Sequence, residues 1–247
     1  IPVAHVEAGL RSFNRRMPEE INRVVADHVA TFLFCPTHTA VENLHSEGIV
    51  EGVEESGDVM YDIALFYGDR AQRTTSILSR LGLSQGGFVL ATCHRAENTD
   101  DPARLESILT ALKRCARHET VVLPIHPRTR ERIASFGLGA LLDSIEAIEP
   151  VSFLEMIALE RAARVIVTDS GGVQKEAFFH GVPCVTIRDE TEWVETVDLG
   201  WNQIAGTASD SIAQAVERAT KGKTGCFPYG NGHAAHRIVS RLVGSLP

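Results

Sequence analysis

The sequence predicts an α/β protein built on doubly wound parallel sheets. Apolar runs of strand length recur from residue 86 onward, at intervals that leave room for a helix. The segments between them carry helical apolar spacing and helix-capping residues, and the apolar runs end in polar or ionisable side chains. Strands that alternate with helices form right-handed βαβ units, and such units build a parallel sheet covered by helices.

The first third of the chain predicts two short strands and three helices, followed by a linker. Pro18 suits the first position of a helix, and Glu19 and Glu20 suit its first turn. The apolar stripe of this helix consists of Ile21, Val24, Val25 and Val29. The predicted elements are a strand end within residues 1–9, a helix from Pro18, a strand at Thr31–Cys35, and helices at Thr37–Glu47 and Asp58–Asp69. The polar stretch 70–80 is predicted to link two domains.

The rest of the chain alternates strands and helices. The predicted strands are Phe88–Cys93, Thr120–Ile125, Ser144–Ile148, Arg164–Thr168, Cys184–Ile187 and Asn202–Ala205. The predicted helices begin at Asp101-Pro102 and at the capping box Ser152-x-x-Glu155, or span Pro127–Phe136, Gly171–His180, Ser209–Lys221 and 233–244.

Polar segments follow four of these strands. They read His94-Arg95-Ala96-Glu97-Asn98, His126-Pro127-Arg128, Asp169-Ser170-Gly171-Gly172 and Arg188-Asp189-Glu190-Thr191-Glu192. Ligands of doubly wound sheets bind beyond the carboxyl ends of the strands. We therefore expect these four loops to converge on one cleft.

The loop that begins at Asp169 indicates a diphosphate site. Gly171 and Gly172 let the backbone approach a ligand, and the helix that follows offers unpaired N–H groups and a partial positive charge. Ser170 adds a hydroxyl donor, and Glu176 could accept from a ribose hydroxyl. A tight turn without a ligand is the alternative. Neither the P-loop nor the G-x-G-x-x-G pattern is present here, so neither NTP hydrolysis nor NAD binding is predicted.

Acidic residues at two element ends suggest proton transfer. Glu7 ends an apolar strand, and Glu19 and Glu20 begin a helix, where one or both could simply complement the helix dipole. His94 is a candidate general acid or phosphate ligand, or else a hydrogen-bonded loop histidine. His233-x-x-His236 has helical spacing but no third ligand nearby in sequence, so no metal is predicted.

Composition narrows the class of protein. The net charge of −8 argues against a surface that coats nucleic acid. Five widely spaced cysteines without a C-x-x-C pair favour a reduced, cytoplasmic protein. No run approaches the ~20 apolar residues of a membrane helix. The chain begins Ile-Pro-Val without a basic region, so no signal peptide is predicted, and the missing Met predicts an internal start.

Taken together, the motifs resemble those of the non-hydrolysing UDP-N-acetylglucosamine 2-epimerases, in order and over nearly the whole chain. They are His5-Val-Glu-Ala-Gly-Leu-Arg11, Pro18-Glu-Glu-Ile-Asn-Arg23, Gly57-Asp58, His94-Arg95-x-Glu97-Asn98, His126-Pro127, Thr168-Asp-Ser-Gly-Gly172 and Arg188-Asp-x-Thr-Glu192. The resemblance implies two Rossmann-like domains of the GT-B-like kind with UDP in the cleft between them. It also implies loss of UDP from C1 as the C2 proton is removed, and re-addition of UDP with protonation on the opposite face. No cofactor is required.

The resemblance further implies a domain layout in which the first domain is incomplete. Residues 1–70 would be the remainder of that domain, 80–228 the UDP-binding domain, and a helix in 231–247 would pack back on the first. About a hundred residues, with a further catalytic aspartate, would precede this chain. A homodimer that makes precursors of cell-envelope polysaccharides is the corresponding expectation.

By position, the resemblance assigns three groups of site residues. Glu7, Glu19 and His94 match catalytic positions, and Ser170, Gly171, Gly172 and Glu176 match UDP-binding positions. Expected substrate or effector contacts are Arg23, Arg95, His126 and Trp193. His126 matches a position that binds a second, activating UDP-sugar in bacterial members.

One departure from the family pattern leaves the substrate open. Trp193 stands where many members have an arginine that contacts the ligand. A 2-epimerase of UDP-2,3-diacetamido-2,3-dideoxy-glucuronate is therefore an alternative. A GT-B glycosyltransferase and an inactive UDP-sugar-binding fragment are two more.

Overall fold

The computed structural model describes residues 1–244, and the chain divides into two compact α/β units. The first unit comprises Ile1–Phe66 and the segment from Gly225 onward, and the second comprises Tyr67–Thr224. The last three residues of the predicted segment 231–247 lie outside the described residues.

The first unit has a parallel sheet of three strands in the order β1-β2-β3. Its strands are β1 (Ala4–Val6), β2 (Phe32–Cys35) and β3 (Val53–Glu55). The helices that begin in this part of the chain are α1 (Pro18–Val29), α2 (His38–Ser46) and α3 (Val59–Thr74). The strand β3 was not predicted, because three residues are too few to show a period.

The structure differs from the sequence pattern at two places in this region. The stretch 70–80 is mostly helical and belongs to the second unit instead of linking two domains: α3 continues to Thr74, a short helix spans Ile77–Arg80, and Ala71 and Ile77 are fully buried in the core of that unit. The apolar stripe of α1 is also not its buried face, since Ile21, Val25 and Val29 are more than half exposed. The helix instead buries two carboxylates, which accept hydrogen bonds from the preceding loop.

The second unit has a parallel sheet of six strands in the order β6-β5-β4-β7-β8-β9. Its strands are β4 (Phe88–Thr92), β5 (Thr120–Pro124), β6 (Glu146–Ile148), β7 (Val165–Thr168), β8 (Cys184–Thr186) and β9 (Asn202–Ile204). Its helices are α4 (Ile77–Arg80), α5 (Ala96–Thr99), α6 (Pro102–Cys115), α7 (Pro127–Ser135), a 3₁₀ turn (Gly139–Leu141), α8 (Phe153–Ala162), α9 (Gly171–Phe179), α10 (Val194–Asp198) and α11 (Ser209–Arg218). All six predicted strands are confirmed, whereas the short helices α4, α5 and α10 were missed.

The six-stranded sheet is buried on both faces. Val89 and Ala91 of β4 belong to one apolar cluster, and Phe88 and Leu90 belong to another. This alternation follows from the two-residue period of a strand. It explains why the strands appear in the sequence as continuous apolar runs.

The helix α12 (Ala234–Val243) belongs to the first unit. The Asp62 carboxylate accepts the N–H groups of Ala234 and Ala235 at 3.1 and 2.8 Å, which satisfies two donors at the start of this helix. Among residues 1–244, no helix combines the length and apolar character that crossing a bilayer requires.

Candidate active site

The strand order of the second unit identifies the switch point of the sheet, the place where ligands of such sheets usually bind. β4 and β7 are neighbours in the sheet. From β4 the next strands are added toward one edge of the sheet, and from β7 they are added toward the other edge. Such a switch point leaves a crevice beyond the carboxyl ends of the two strands. The strands end at Thr92 and Thr168, whose hydroxyl oxygens lie 2.6 Å apart in the interior.

Asp169, the residue after β7, joins the loops around this crevice. Its buried carboxylate accepts the N–H groups of His94 and Arg95 at 3.0 Å and the Asn98 side-chain amide at 3.1 Å. The same Asn98 amide donates to the Ile187 carbonyl at the end of β8. The loops that follow β4, β7 and β8 are therefore held together, as predicted for these three of the four loops.

The two histidines of the predicted site have different surroundings. The His94 side chain is about half exposed, and its Nδ1 lies 3.5 Å from the Asp169 carboxylate. His126 is the N-cap of α7, and its Nδ1 accepts the Arg128 N–H at 3.3 Å. In the same helix, Thr129 donates to the Cys93 carbonyl, which brings the loop after β5 to the crevice as well. His94 is thus exposed to a ligand, whereas His126 also caps a helix.

The glycine corner, Ser170-Gly171-Gly172, begins α9 at the switch point. Ser170 is the N-cap, and its hydroxyl accepts the Val173 N–H at 3.4 Å. A Cβ atom at Gly171 would lie 2.7 Å from the Glu192 carboxylate and 3.1 Å from the Trp193 ring nitrogen. A Cβ atom at Gly172 would have only the Ser170 hydroxyl within 4 Å, at 3.8 Å. Packing therefore requires the first glycine, and the second borders open space.

Trp193 forms a wall behind this corner. Its side chain is buried, and the Lys175 ammonium group lies 4.0 Å from the centre of its ring. The adjacent Glu192 carboxylate lies 3.1 Å from the guanidinium group of the buried Arg188. Lys175 was missed by the sequence analysis, because a lysine in the first turns of a helix gives no sign that it is buried.

Glu176 lies beside a second carboxylate, which the sequence analysis also missed. Glu160 on α8 is fully buried, and its carboxylate is 3.7 Å from the His180 ring. Burial and the adjacent Glu176 carboxylate raise the pKa of Glu160 well above its usual range. Burial, and next the positive charge of Arg161, lower the pKa of His180 to about 4. The sequence did contain a signal for the buried Glu160, because this glutamate stands within the apolar run of α8.

We expect Glu160→Gln to change how stability depends on pH. Because the pKa of Glu160 is raised, the folded protein retains a proton that the unfolded chain releases above its ordinary pKa of 4.5. The free energy of unfolding therefore falls as the pH rises from 4.5 toward the folded-state pKa. The glutamine variant has no titrating group at this position and lacks this fall. The difference in free energy of unfolding, variant minus wild type, should therefore be larger at about pH 8 than at about pH 5.

Urea unfolding at both pH values, followed by the fluorescence of Trp193 and Trp201, measures this difference. His180 acts in the opposite direction, since its lowered pKa reduces stability as the pH falls from 6.5 toward 4, but it is present in both proteins. An equal stability difference at the two pH values would contradict the assignment of a raised pKa.

In the first unit, the predicted acidic residues fall into distinct roles. Glu20 is buried and accepts the N–H groups of Ser12 and Phe13 at 3.0 and 2.9 Å, so it has a structural role. Arg23 lies 3.5 Å from the same carboxylate. Glu19 is exposed. Glu7 follows β1 with a left-handed backbone (φ 69°), a conformation that costs a non-glycine residue about 1 kcal/mol.

Within residues 1–244, no group of three or more His, Cys, Asp or Glu side chains is arranged to hold an ion. All five cysteines are free thiols, and four of them are buried.

A six-stranded parallel sheet with a glycine corner at its switch point is typical of nucleotide-binding α/β enzymes. The sequence profile described as UDP-N-acetylglucosamine 2-epimerase matches residues 1–243. The chain belongs to this family, and it is therefore an isomerase. The fold predicted from the resemblance, parallel-sheet α/β of the GT-B-like kind, is confirmed.

Three relatives show how similar the chain is to named members of the family. It is 52% identical to a UDP-2,3-diacetamido-2,3-dideoxy-D-glucuronate 2-epimerase of Pseudomonas aeruginosa, over 98% of this chain and 68% of that protein. It is 46% identical to a UDP-N-acetylglucosamine 2-epimerase homolog of Methanococcus maripaludis, over 98% of this chain and 69% of the relative. The Methanocaldococcus jannaschii UDP-GlcNAc 2-epimerase, solved in complex with UDP-GlcNAc and UDP, superposes with a TM-score of 0.90 at 40% identity, over 99% of this chain and 70% of that one.

Proposed function

We propose that the protein interconverts UDP-GlcNAc and UDP-ManNAc by inverting C2 of the sugar. The observation that carries this proposal is the glycine corner at the switch point, where Gly172 borders open space at the start of α9. The N–H groups that begin α9 bind the diphosphate, and the Ser170 hydroxyl adds a donor. Glu176, in the second turn of α9, accepts from the ribose hydroxyls.

The diphosphate site also contributes to the chemistry. The C2 proton is transferred to a base as the C1–O bond breaks, and the electron pair of the C–H bond forms the C1=C2 bond of 2-acetamidoglucal. UDP then adds back to C1, and an acid protonates C2 from the opposite face. Since negative charge grows on the diphosphate as it leaves, helix N–H groups stabilise this transition state more than the bound substrate.

Specific residues are proposed for these steps. Glu7 and Glu19 remove and deliver the C2 protons, and His94 lies next to the departing diphosphate. Arg23 and Arg95 contact the substrate. His126 contacts a second, activating UDP-sugar.

A second substrate, UDP-2,3-diacetamido-2,3-dideoxy-glucuronate, is favoured by two observations. The relative named for that substrate shares 52% identity with this chain. Trp193 replaces a ligand-contacting arginine of the family pattern, which changes the wall behind Gly171. Both substrates undergo the same C2 chemistry.

Proton NMR in D₂O with each UDP-sugar tests the function and the choice of substrate together. We expect exchange of the C2 proton and appearance of the epimer without any acceptor. Turnover of the uronate alone would leave the epimerase proposal intact and change the substrate. UDP binding by calorimetry without exchange on either sugar would contradict the proposal and support a binding fragment, and release of UDP that depends on an acceptor would indicate a glycosyltransferase.

We further infer a homodimer in the cytoplasm, where its thiols stay reduced. The buried free cysteines Cys35, Cys93, Cys115 and Cys184 support a reducing compartment. Light scattering on the purified protein measures the oligomeric state, and a monomer at micromolar concentration would contradict the dimer.

A further inference from the structure

Asp27 on α1 is a buried carboxylate whose partners lie in one short segment. Its Oδ1 is 2.6 Å from the His5 ring, and its Oδ2 accepts from the Arg11 guanidinium at 2.6 Å. The Gly9 N–H donates to both carboxylate oxygens, at 3.2 and 3.3 Å. The Asp27 side chain has no exposed surface. One carboxylate therefore connects three positions within residues 5–11.

Glu7 lies between His5 and Gly9, two of these three positions, and has a strained backbone. Its φ is 69°, and Gly9 follows with φ 79°, so the chain turns sharply where β1 ends. A left-handed backbone at a residue other than glycine persists only where the surroundings determine it. Asp27 binds the residue two before Glu7 and the residue two after it, so it constrains the turn on both sides.

Arg11 is itself held in place by a second carboxylate. Its Nε and Nη2 donate to Glu47 at 2.6 and 2.7 Å, and its Nη1 donates to the Leu10 carbonyl as well as to Asp27. The Glu47 side chain contacts neither His5 nor Gly9 in these interactions. Glu47 and Asp27 thus carry the same charge and share Arg11, but only Asp27 reaches the turn around Glu7.

We propose that Asp27 is a positioning residue that holds Glu7 in the orientation required to transfer the C2 proton. This inference rests on the proposed role of Glu7. Burial by itself raises the pKa of Asp27, but hydrogen bonds from His5 and then Arg11 lower the pKa below its usual range. The Asp27 carboxylate is therefore ionised while it binds the turn.

Asp27→Asn in the whole protein tests the inference, with Glu47→Gln as the matched control. Asparagine has nearly the same shape but only one acceptor oxygen, so it cannot serve Arg11, His5 and Gly9 together. We expect kcat for C2 exchange to fall by roughly 10- to 100-fold, because misplacing a reacting group by about 1 Å has effects of that size. UDP affinity and the KM for the UDP-sugar should stay within about twofold, and Glu47→Gln should keep kcat within about threefold.

Other outcomes would contradict the positioning role of Asp27, and some of them would do so without contradicting the proposed function. Equal losses of kcat in the two variants would show that only the charge network around Arg11 matters. If Glu7→Gln is inactive while Asp27→Asn has normal kcat, the positioning role of Asp27 is wrong and the proposed function stands. If Glu7→Gln is fully active, the proposed role of Glu7 itself is wrong. Should Asp27→Asn not fold, His5→Gln removes one contact of Asp27 and leaves the other two, and a normal kcat in that variant would also contradict the inference.

Discussion

Glu7→Gln is expected to abolish exchange of the C2 proton while UDP affinity stays within severalfold. Glutamine has the shape of glutamate but cannot accept a proton, and general acid–base catalysis contributes about 10²- to 10⁴-fold to a rate. Glutamine can adopt the left-handed backbone at position 7 at the same energetic cost as glutamate, so the fold should persist. Loss of the C2 proton signal in D₂O measures exchange, and calorimetry measures the affinity for UDP.

The control for this substitution is Glu42→Gln. Glu42 lies in the same unit, and its side chain is about two-thirds exposed, so the variant makes the same charge change away from the turn. We expect Glu42→Gln to exchange the C2 proton at the wild-type rate. Wild-type exchange in Glu7→Gln would remove Glu7 from the mechanism.

Alanine at Gly171 and alanine at Gly172 are expected to have opposite effects on stability, and alanine at Gly172 is expected to weaken UDP binding. At Gly171 the new methyl group would lie 2.7 Å from the Glu192 carboxylate and 3.1 Å from the buried Trp193, so the wall must move. Overpacking of this kind costs about 1–3 kcal/mol. At Gly172 the protein leaves room for the methyl group, and alanine in place of glycine stabilises a helix by up to about 1 kcal/mol.

The consequence for UDP distinguishes a ligand site from a simple turn. If the diphosphate approaches the backbone at Gly172, a methyl group there occupies the space of the ligand, so UDP affinity should fall by about tenfold or more, or ~1.4 kcal/mol. Thermal unfolding and UDP calorimetry on Gly171→Ala and Gly172→Ala measure both quantities. Unchanged UDP affinity in Gly172→Ala, together with normal stability, would mean that the glycine corner is a turn without a ligand.

Some features of this protein were determined by the sequence alone because they depend on near neighbours in the chain. The alternation of strands and helices follows from apolar spacing. The N-caps at Asp101 and Ser152 follow from side chains that bond to N–H groups two or three residues away, as the structure has them. The glycine corner and the order of the motifs are also visible in the sequence without the structure. They indicated the family, and the profile match confirms it.

Other features were decided only by the tertiary structure. On α1, Ile21, Val25 and Val29 are exposed while Asp27 is buried. The spacing of residues in the helix does not show the burial of Asp27, because its partners are 16 to 22 residues away in the chain. Which of two adjacent glutamates binds the loop, Glu20 rather than Glu19, follows from the direction in which α1 presents each side chain. The different surroundings of Gly171 and Gly172 depend on Glu192 and Trp193, about 20 residues further along. Burial and pairing of this kind arise when distant segments pack together, and no local pattern of residues records them.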